Sequence, residues 1–409
     1  VLVALRFRLY PNGKQETKML QTIETTRHLW NDALAHRKAR WESERRSTSY
    51  NMQASILTLE REENVELSSL HSQVGQDVLR RLDKAFKSFF AHRARYPRFK
   101  RRSGIGSFTY PQCYNGSVRP DKSRRRLYIS KIGNVKAVFH RPLPKEALLK
   151  TCTVTREPDG KWFASLVFED IVPLQDLVTN FVSPVGVDLG LKSLIVTSDG
   201  LEVAHPRFLR KAERNLKRLQ RMLSHKKKNS KNRFKARQRI ASQYAKMRRQ
   251  RTDFNHKLST ALVRRHDFIA FEDLRIRNMV KNHCLAKSIH DAGWGQLVRL
   301  AEYKAVAQGK RVVRVDPAYS TQECFHCGSH NKISLDVREF DCVGCGRNLR
   351  RDHNASCIVL KRGLAKVGQD MPELKPVETR PLLVATTRGA GQVEEAGTIR
   401  PRGLEAHGL

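Results

Sequence analysis

Acidic residues are scarce in this chain of 409 residues, in which 40 Asp and Glu stand against 78 Lys and Arg and the formal net charge is +38. The sequence also has no apolar run that approaches the ~18 residues needed to cross a bilayer. Its first residues, VLVALRFRLYPN, lack the apolar segment and the cleavage site of a signal peptide. We therefore expect no association with a membrane and a cytoplasmic location.

The positive charge favours nucleic acid as the partner. An excess of this size destabilises a compact fold by self-repulsion unless a polyanion neutralises it, although a solvated basic surface remains the alternative. An anionic membrane fits poorly, because Lys and Arg run through nearly the whole chain instead of forming one cluster. The segment 367–409 departs from this pattern, since its charges nearly balance and it is rich in Pro and Gly. We predict a flexible tail there.

Cysteine is scarce too, and four of the eight cysteines form two C-x-x-C pairs, Cys324 with Cys327 and Cys342 with Cys345. This spacing is typical of a metal site, and zinc takes four tetrahedral ligands. We predict one structural Zn²⁺ in a ribbon over 320–346, with no open position for catalysis. Gly328 and Gly346 follow the second cysteine of each pair, where a knuckle turn commonly needs a positive φ. We interpret His326 and His330 as surface residues and the other cysteines as small core residues: Cys113, Cys152, Cys284 and Cys357.

The first part of the chain combines strands with helices. Residues 2–9 alternate in polarity and predict a half-buried strand, and short segments of the same kind recur between 105 and 170. We predict that they form one small antiparallel barrel. The residues between the first strand and the others are then a helical insertion.

Within that insertion, the apolar spacing predicts helices over 14–44 and 72–93. The second helix carries a stripe of aromatic residues, which we interpret as ordinary helix core: Phe86, Phe89 and Phe90.

From Pro184 the predicted order is three strands, a helix, a strand, a helix, a strand and a last helix from about His353. The strands are VGVDLG, KSLIVTS, LEVAH, DFIAFED and KRVVRVD. An antiparallel meander joined to parallel strands through helices is the ribonuclease-H arrangement. We expect Asp291 to cap a helix that runs to Gln308.

The region between the third and fourth strands is strongly basic. From Arg210 to Arg251 there are 18 Lys and Arg and one acid, Glu213. The apolar spacing predicts two helices hinged at SHKKKNSKN, followed by a separate helix over 252–266.

Three carboxylates occupy unusual places in this pattern. Asp188 interrupts an apolar strand, where an unpaired carboxylate is costly to bury, and Glu272 ends another such strand. Asp352 directly precedes the last helix, where an ordinary N-cap is the alternative. In a ribonuclease-H sheet the first and fourth strands are neighbours and the last helix crosses beside them. The three carboxylates would then converge and could hold two Mg²⁺ ions for phosphodiester hydrolysis.

At this point the motifs GVDLGLKSL, AFEDLRIRNM, SIHDAGWGQL, STQECFHCG and RRDHNAS resemble those of the TnpB proteins of bacterial insertion sequences. The N-terminal RLYPN, RHLWNDAL and YPRFK segments extend the resemblance to about residues 1–365. TnpB proteins are RNA-guided DNA endonucleases that look like ancestors of type V CRISPR effectors. The family often has Asp-Arg-Asp before its final motif, whereas this chain has Arg350-Arg351-Asp352, which keeps the last carboxylate.

The resemblance implies a set of site residues. The RuvC carboxylates map onto Asp188, Glu272 and Asp352, and the zinc ligands map onto Cys324, Cys327, Cys342 and Cys345. Contacts to the target-adjacent motif fall near Tyr50 and Gln76, for which surface residues on a helix are the alternative. We expect further nucleic-acid contacts from the basic helices at Arg210, Lys217, Arg221, Lys226, Lys227 and Lys228.

The implied fold class is α+β with several domains: a wedge-like β-barrel (1–13 plus 101–180), a helical recognition insertion (14–100), a RuvC-like α/β nuclease domain (181–319 plus 347–366) and the zinc ribbon. The implied function is Mg²⁺-dependent cleavage of double-stranded DNA next to a short target-adjacent motif, in transposon maintenance. One protein would bind one structured guide RNA. The alternatives are an RNA-guided DNA-binding regulator that does not cleave and a DNA transposase.

Overall fold

The structure, a computed structural model, describes residues 2–102, 105–144, 147–169, 178–334 and 337–371, and the backbone of 380–381. The chain divides into two compact units. The first comprises Val1–Asp176 with Ala212–Lys246, and the second comprises Leu177–Lys211 with Met247–Leu409. No helix among the described residues is long and apolar enough to span a membrane.

The first unit contains a seven-stranded antiparallel sheet with the order β2-β6-β7-β1-β5-β4-β3. Leu5 lies opposite Leu166, and alternate residues such as Phe7 and Ala164 are buried on one face. The predicted strand at 2–9 joins the later strands in a curled antiparallel half-barrel, so the predicted barrel is confirmed in part, and β2 and β3 remain its two edges among the described residues. The strands are β1 (Leu2–Tyr10), β2 (Gly106–Tyr110), β3 (Val118–Asp121), β4 (Arg126–Ile129), β5 (Gly133–Val138), β6 (Leu148–Arg156) and β7 (Trp162–Glu169).

Four helices follow β1 and share one apolar cluster with the sheet. Asn12 caps the first of them, since its side chain accepts the N–H of Gln15 at 2.9 Å while the Gln15 side chain accepts the N–H of Asn12. The first and last helices confirm the predicted ones, and the sequence did not reveal the two between them. The helices are α1 (Gly13–Glu44), α2 (Tyr50–Glu63), α3 (Val65–Ser69) and α4 (Ser72–Phe90).

The aromatic stripe on α4 is core only in part. Val78 and Leu82 are buried, but Phe86 and Phe89 are half-buried and Phe90 is 70% exposed. The interpretation of the whole stripe as core is therefore wrong at the C-terminal end of the helix, where Tyr96 is the aromatic neighbour of Phe86 and Phe89.

The basic region forms two helices, α5 (Phe208–Ser224) and α6 (Lys231–Arg265), on either side of the predicted hinge. A separate helix over 252–266 is wrong, because α6 continues to Arg265 without a break. No Gly or Pro lies within α6 to end it. At the hinge, the Arg233 guanidinium donates to the carbonyl of Leu223 at 3.1 Å and to that of Lys226 at 2.9 Å.

The second unit contains a sheet whose order begins β12-β11-β8-β9-β10. β8, β9 and β10 form the predicted antiparallel meander, whereas β11 runs parallel to both β8 and β12. The expectation that the first and fourth of these strands are neighbours is confirmed. The strands are β8 (Pro184–Leu189), β9 (Ser193–Thr197), β10 (Leu201–Ala204), β11 (Phe268–Glu272) and β12 (Arg311–Val315), and the short strand Arg380–Pro381 pairs with β10.

Between the parallel strands lie α7 (Ile276–Met279), α8 (His283–Ala292) and α9 (Trp294–Val306). α9 confirms the helix that was expected to run towards Gln308, whereas the sequence did not reveal α7 and α8. Asp291 caps none of these three helices, since it lies in the last turn of α8. Its two carboxylate oxygens instead accept the N–H of Leu209, both at 3.0 Å, and so cap α5.

The last helix, α10 (Arg351–Ala365), packs closely on this sheet. At Gly186 on β8, an added Cβ would lie 2.0 Å from the carbonyl oxygen of Ser356 on α10. Only glycine permits this approach. Val367 and Met371 pack partly buried against the same cluster. The ordered chain therefore continues past residue 367, where the tail was expected to begin; most of that predicted tail lies outside the described residues.

Candidate functional site

Two carboxylates leave the second sheet side by side. Val187 on β8 pairs with Phe271 on β11, and the next residues along these parallel strands are Asp188 and Glu272. Both strands are fully buried apolar segments up to this point. The sheet thus brings together two acids that are 84 positions apart in the sequence.

Both carboxyl groups are buried, with exposed fractions of 8% for Asp188 and 6% for Glu272. Burial raises the pKa of Asp188 well above its usual range, and the nearby charges of Glu272 and Asp352 raise it further. Burial also raises the pKa of Glu272, against hydrogen bonds from Ser320, Leu189 and Asp188 that lower it. Without a cation, the site therefore favours the protonated acids.

Ser320 orients one of these acids. It is 3% exposed, and its hydroxyl donates to Oε1 of Glu272 at 2.8 Å. It stands at the start of the segment with the paired cysteines, so that segment contacts the carboxylate site directly.

Asp352 is the second residue of α10, and its side chain is 27% exposed. Two guanidinium groups contact it: Arg338 at 2.9 Å from Oδ2 and Arg351 at 3.0 Å from Oδ1. Arg351 is itself buried and also works against the rise in the pKa of Asp188. These arginines offset part of the repulsion among the three carboxylates.

The three carboxylates are less tightly gathered than the cysteines. Across the described ranges, the only group of three or more potential metal ligands whose atoms lie within 4.8 Å of one another is the cysteine cluster. Carboxylate oxygens nevertheless match the preference of Mg²⁺, which keeps several water ligands and so needs few protein contacts. The donor set fits hard divalent ions.

The cysteine cluster has the geometry of a zinc site. The Sγ atoms of Cys324 and Cys345 are 3.9 Å apart, and those of Cys327 and Cys342 are 3.5 Å apart. Tetrahedral bonds of ~2.3 Å to zinc place two sulfurs ~3.8 Å apart. The predicted cluster is confirmed, and it fits a structural zinc.

The cysteines sit on the two knuckles of a ribbon whose hairpin is β13 (Glu339–Asp341) and β14 (Asn348–Arg350). Gly328 and Gly346 have the predicted positive φ, 74° and 65°. His326 and His330 are exposed, as expected. Of the remaining cysteines, the structure buries Cys113, Cys152 and Cys357, whereas Cys284 is exposed and the core interpretation is wrong for it.

Asn354 holds the ribbon onto α10. The N–H of Phe325 donates to its Oδ1 at 3.0 Å, and its Nδ2 donates to the carbonyl of Glu323 at 2.6 Å. Arg362 adds an ion pair to Glu323 at 2.8 Å. Sequence reasoning missed Asn354, Ser320 and Arg338, although Asn354 lies two residues after Asp352 in the same motif.

The residues expected to contact nucleic acid lie on helices and on the hinge between α5 and α6. On the basic helices and their hinge all six residues are exposed, and Lys217 pairs with Glu213 at 3.3 Å. Tyr50 and Gln76 are half-buried, and the Arg80 guanidinium lies 5.6 Å from the centre of the Tyr50 ring. The assignment of these residues to nucleic acid stays a prediction. The six are Arg210, Lys217, Arg221, Lys226, Lys227 and Lys228.

Three family profiles match the chain. Residues 172–283 match the OrfB family of IS605-type elements, described as "Probable transposase". Residues 294–359, which include the ribbon, match the "Cas12f1-like, TNB domain". Residues 1–46 match a "Helix-turn-helix domain"; in this chain they hold β1 followed by α1.

Two curated bacterial proteins are similar over nearly their whole length. One from Streptomyces pristinaespiralis, named "Putative RNA-guided DNA endonuclease", is 37% identical over 88% of this chain and 89% of its own length. One from Escherichia coli K12, "Putative RNA-guided DNA endonuclease InsQ", is 32% identical over 93% of this chain and 97% of its own.

Among solved structures, a Cas12f1–sgRNA–target DNA complex is similar in fold. Its protein matches with a TM-score of 0.55 at 12% identity, covering 88% of this chain and 98% of that chain. At this identity the likeness concerns the α+β fold alone.

Proposed function

The chain belongs to the TnpB family of transposon-encoded proteins, and from this premise we propose that it is an RNA-guided endonuclease that hydrolyses both strands of a DNA target. Its relatives carry the name RNA-guided DNA endonuclease at 37% and 32% identity over most of both chains. We propose the same activity for this chain, together with a guide RNA and double-stranded DNA as its partners.

The observation that carries the proposal is the buried acid pair. Asp188 and Glu272 emerge side by side from a sheet that has no structural need for them, and burial opposes their ionisation. Two buried acids in contact repel each other when both are ionised, and a cation bound between them removes that penalty. With Asp352 on α10, they supply the hard oxygen ligands of a phosphodiesterase that uses divalent metal ions.

In the proposed mechanism Asp188, Glu272 and Asp352 would hold two Mg²⁺ ions, and ions bound there would supply Lewis-acid chemistry for activating water and stabilising the leaving oxygen. Ser320 fixes the Glu272 carboxylate through its hydroxyl. Arg338 and Arg351 hold Asp352 and supply positive charge where a phosphate would enter. The sheet and α10 thus form a RuvC-like nuclease centre.

We further propose the division of labour that the resemblance implies. Residues 1–13 plus 101–180 and the helical insertion 14–100 would hold the guide RNA and read the target-adjacent motif, with Tyr50 and Gln76 near that motif. Residues 181–319 plus 347–366 would form the nuclease domain, and 320–346 the ribbon. The exposed cations of α5, α6 and their hinge would contact the heteroduplex backbone without reading its sequence.

A DNA-binding regulator that does not cleave would have no use for two buried acids at the ends of adjacent strands with a third on α10, so the intact set argues against it. A transposase could use similar carboxylates, and the profile described as "Probable transposase" matches this chain. A requirement for RNA distinguishes the proposed endonuclease from a transposase, because transesterification at fixed transposon ends needs no guide RNA.

The decisive experiment measures cleavage of a plasmid with the protein and the RNA that copurifies with it. Asp188→Ala, Glu272→Ala and Asp352→Ala should each abolish cleavage while target binding survives, and EDTA should stop the wild type. Asp253→Ala is the matched control, since this acid lies on the surface of α6 and pairs with Lys257 at 3.0 Å. Substantial cutting by any of the three variants would overturn the site assignment.

The same assay tests guidance. A new guide segment in the RNA should redirect cleavage to the matching DNA, provided that the target-adjacent motif is present. RNA-free protein that cuts with an unchanged site preference would favour the transposase or an unguided nuclease.

A further inference from the structure

A cavity of about 370 Å³ lies in the first unit between α1, α4 and the segment that leads into β2. It is many times larger than the ~30 Å³ that one water occupies. Four cationic side chains and one carboxylate line it: Arg27, Arg81, Lys100, Arg101 and Glu24. None of these residues takes part in the proposed carboxylate or zinc sites.

The main chain around Lys100 is pinned to α1. Its N–H donates to Oδ1 of Asn31 at 2.8 Å, and Nδ2 of Asn31 donates back to its carbonyl at 3.0 Å. The indole N–H of Trp30 donates to the carbonyl of Arg98 at 3.1 Å. The Lys100 ammonium lies 3.8 Å from the centre of the Trp30 ring. Although Lys100 is an exposed residue, these contacts set the position of its ammonium at the cavity.

The acids near the cavity are already engaged. Glu24 pairs with Arg27 at 2.8 Å and with Arg102 at 3.5 Å, and Asp77 pairs with Arg81 at 2.7 Å. In the part of the chain that the structure describes, Lys100 has no carboxylate within ion-pair distance. The same holds for Arg101. The sequence positions 103 and 104 are serine and glycine, which add no carboxylate.

Two further features indicate that the cations of this cavity are incompletely compensated. The Nε atom of Arg27 is buried and has no hydrogen-bond partner among the described residues. The protein atoms packed around Lys100, together with the charge of Arg81, lower the pKa of Lys100 to about 8. A cluster of this kind is unfavourable on its own and becomes favourable when an anion enters.

We propose that this cavity binds a phosphate group of the nucleic acid that the protein carries, with Lys100, Arg101 and Arg27 as its donors. A phosphate offers several acceptor oxygens to such a group of N–H donors, and guanidinium forks match it. This inference names one anchoring site within the proposed function and rests on it for the identity of the ligand. The shared chemistry is the phosphate, which either the RNA or the target DNA could provide.

The affinity of this cavity for phosphate should depend on pH. The charged groups around Lys100 are Glu24 and Arg27 from α1, Asp77 and Arg81 from α4, and Arg101 from the loop. Between pH 7 and 9 the guanidinium groups stay charged, whereas Lys100 loses its proton. Since phosphate needs the charged form, affinity at this contact should fall about tenfold over that range.

The first test compares three full-length variants by their affinity for the copurifying RNA at pH 7 and pH 9. Lys100→Arg should keep the affinity and lose the pH dependence, and Lys100→Gln should lose both. Lys38→Gln is the matched control, a lysine on α1 that pairs with Glu42 at 3.6 Å, and it should behave as the wild type. A Lys100→Arg variant that keeps the full pH dependence would refute the assignment.

The second test needs no activity. Lysines of the wild-type chain are acylated at pH 7.5 and read by mass spectrometry, with inorganic phosphate, RNA, or RNA and target DNA added. Lys100 should react faster than Lys38 in the free chain, and phosphate should slow Lys100 alone. Protection by RNA assigns the phosphate to the guide, and protection only after DNA is added assigns it to the target. Protection by inorganic phosphate but by neither nucleic acid would overturn the proposed ligand.

The two tests separate this inference from the proposed function. If RNA-guided cleavage is found but nothing protects Lys100, the cavity is not an anion site and the function stands. If phosphate and RNA protect Lys100 but no guided cleavage occurs, the anion site stands and the proposed function fails.

Discussion

Replacing Asn354 by alanine should loosen the zinc ribbon without unfolding the sheet beneath it. Asn354 is 1% exposed and bonds two main-chain groups of the ribbon, the N–H of Phe325 at 3.0 Å and the carbonyl of Glu323 at 2.6 Å. A buried main-chain group left without its partner costs about 1–3 kcal/mol. The loss of both partners should lower the free energy of local opening by about 2–6 kcal/mol, which is roughly a thirtyfold or larger rise in the open population.

Two measurements read this out: hydrogen exchange at the Phe325 and Cys342 amides, and the rate at which a chelator removes zinc. Asn348→Ala is the matched control, since Asn348 lies in the same ribbon but its amide bonds only the exposed Asp341 side chain, at 2.9 Å. It should change either rate little. If Asn354→Ala exchanges and releases zinc at the rates of the control, Asn354 does not hold the ribbon and the reasoning is refuted.

Three further outcomes are expected. Cys327→Ser should lose its metal, because one of four thiolates is gone; plasma mass spectrometry should find one zinc per native chain and much less in the variant, and a native chain without zinc would contradict the site. Asp188→Asn should melt at a higher temperature than the wild type at pH 7 without metal. Burial and the charge of Glu272 raise the pKa of Asp188 in the folded protein. The wild type therefore has its full stability below the ordinary carboxyl pKa and loses part of it as pH rises through the raised pKa, whereas the uncharged Asn does not titrate. Mg²⁺ at about a hundredfold above its Kd should stabilise the wild type by about 2.7 kcal/mol and leave Asp188→Asn unchanged; an equal shift in both would count against this ligand. Changing Lys226, Lys227 and Lys228 to alanine should flatten the log–log salt dependence of nucleic-acid binding by about 2–3, at about 0.7–0.9 for each phosphate contact, while target choice stays the same. An unchanged slope would remove the hinge from the binding surface.

The strands β8, β9 and β11 could be predicted because each is a short, mostly apolar run that ends at an acid or is followed by a turn. The same apolar runs made Asp188 and Glu272 candidate site residues, because burying an unpaired carboxylate in an apolar strand is costly. The helix α2 gave no such signal: of its 14 residues, only Gln53 and Leu57 are buried, so no apolar stripe marks it. β3, with the sequence VRPD, is too short and too polar to reveal itself.

Contacts made at a distance could not be predicted at all. Asp291 looked like a cap for the helix that follows it, yet it caps α5, which begins 83 positions earlier at Phe208. Arg338 reaches Asp352 from the ribbon, and Ser320 reaches Glu272 from the segment before it. Local sequence shows that a side chain can cap or pair, but only the packing of the elements decides which partner it meets.

The joint between the ribbon and α10 has a consequence for how this part of the chain can vary. Asn354 forms hydrogen bonds to main-chain atoms, which every amino acid provides. Most side chains of the first knuckle can therefore be substituted without removing these bonds to α10. The requirements that remain are few: the four cysteines, Ser320 for Glu272, Glu323 for Arg362, and Arg338 for Asp352. A ribbon from a related protein that keeps these positions could therefore replace this one without changes to α10.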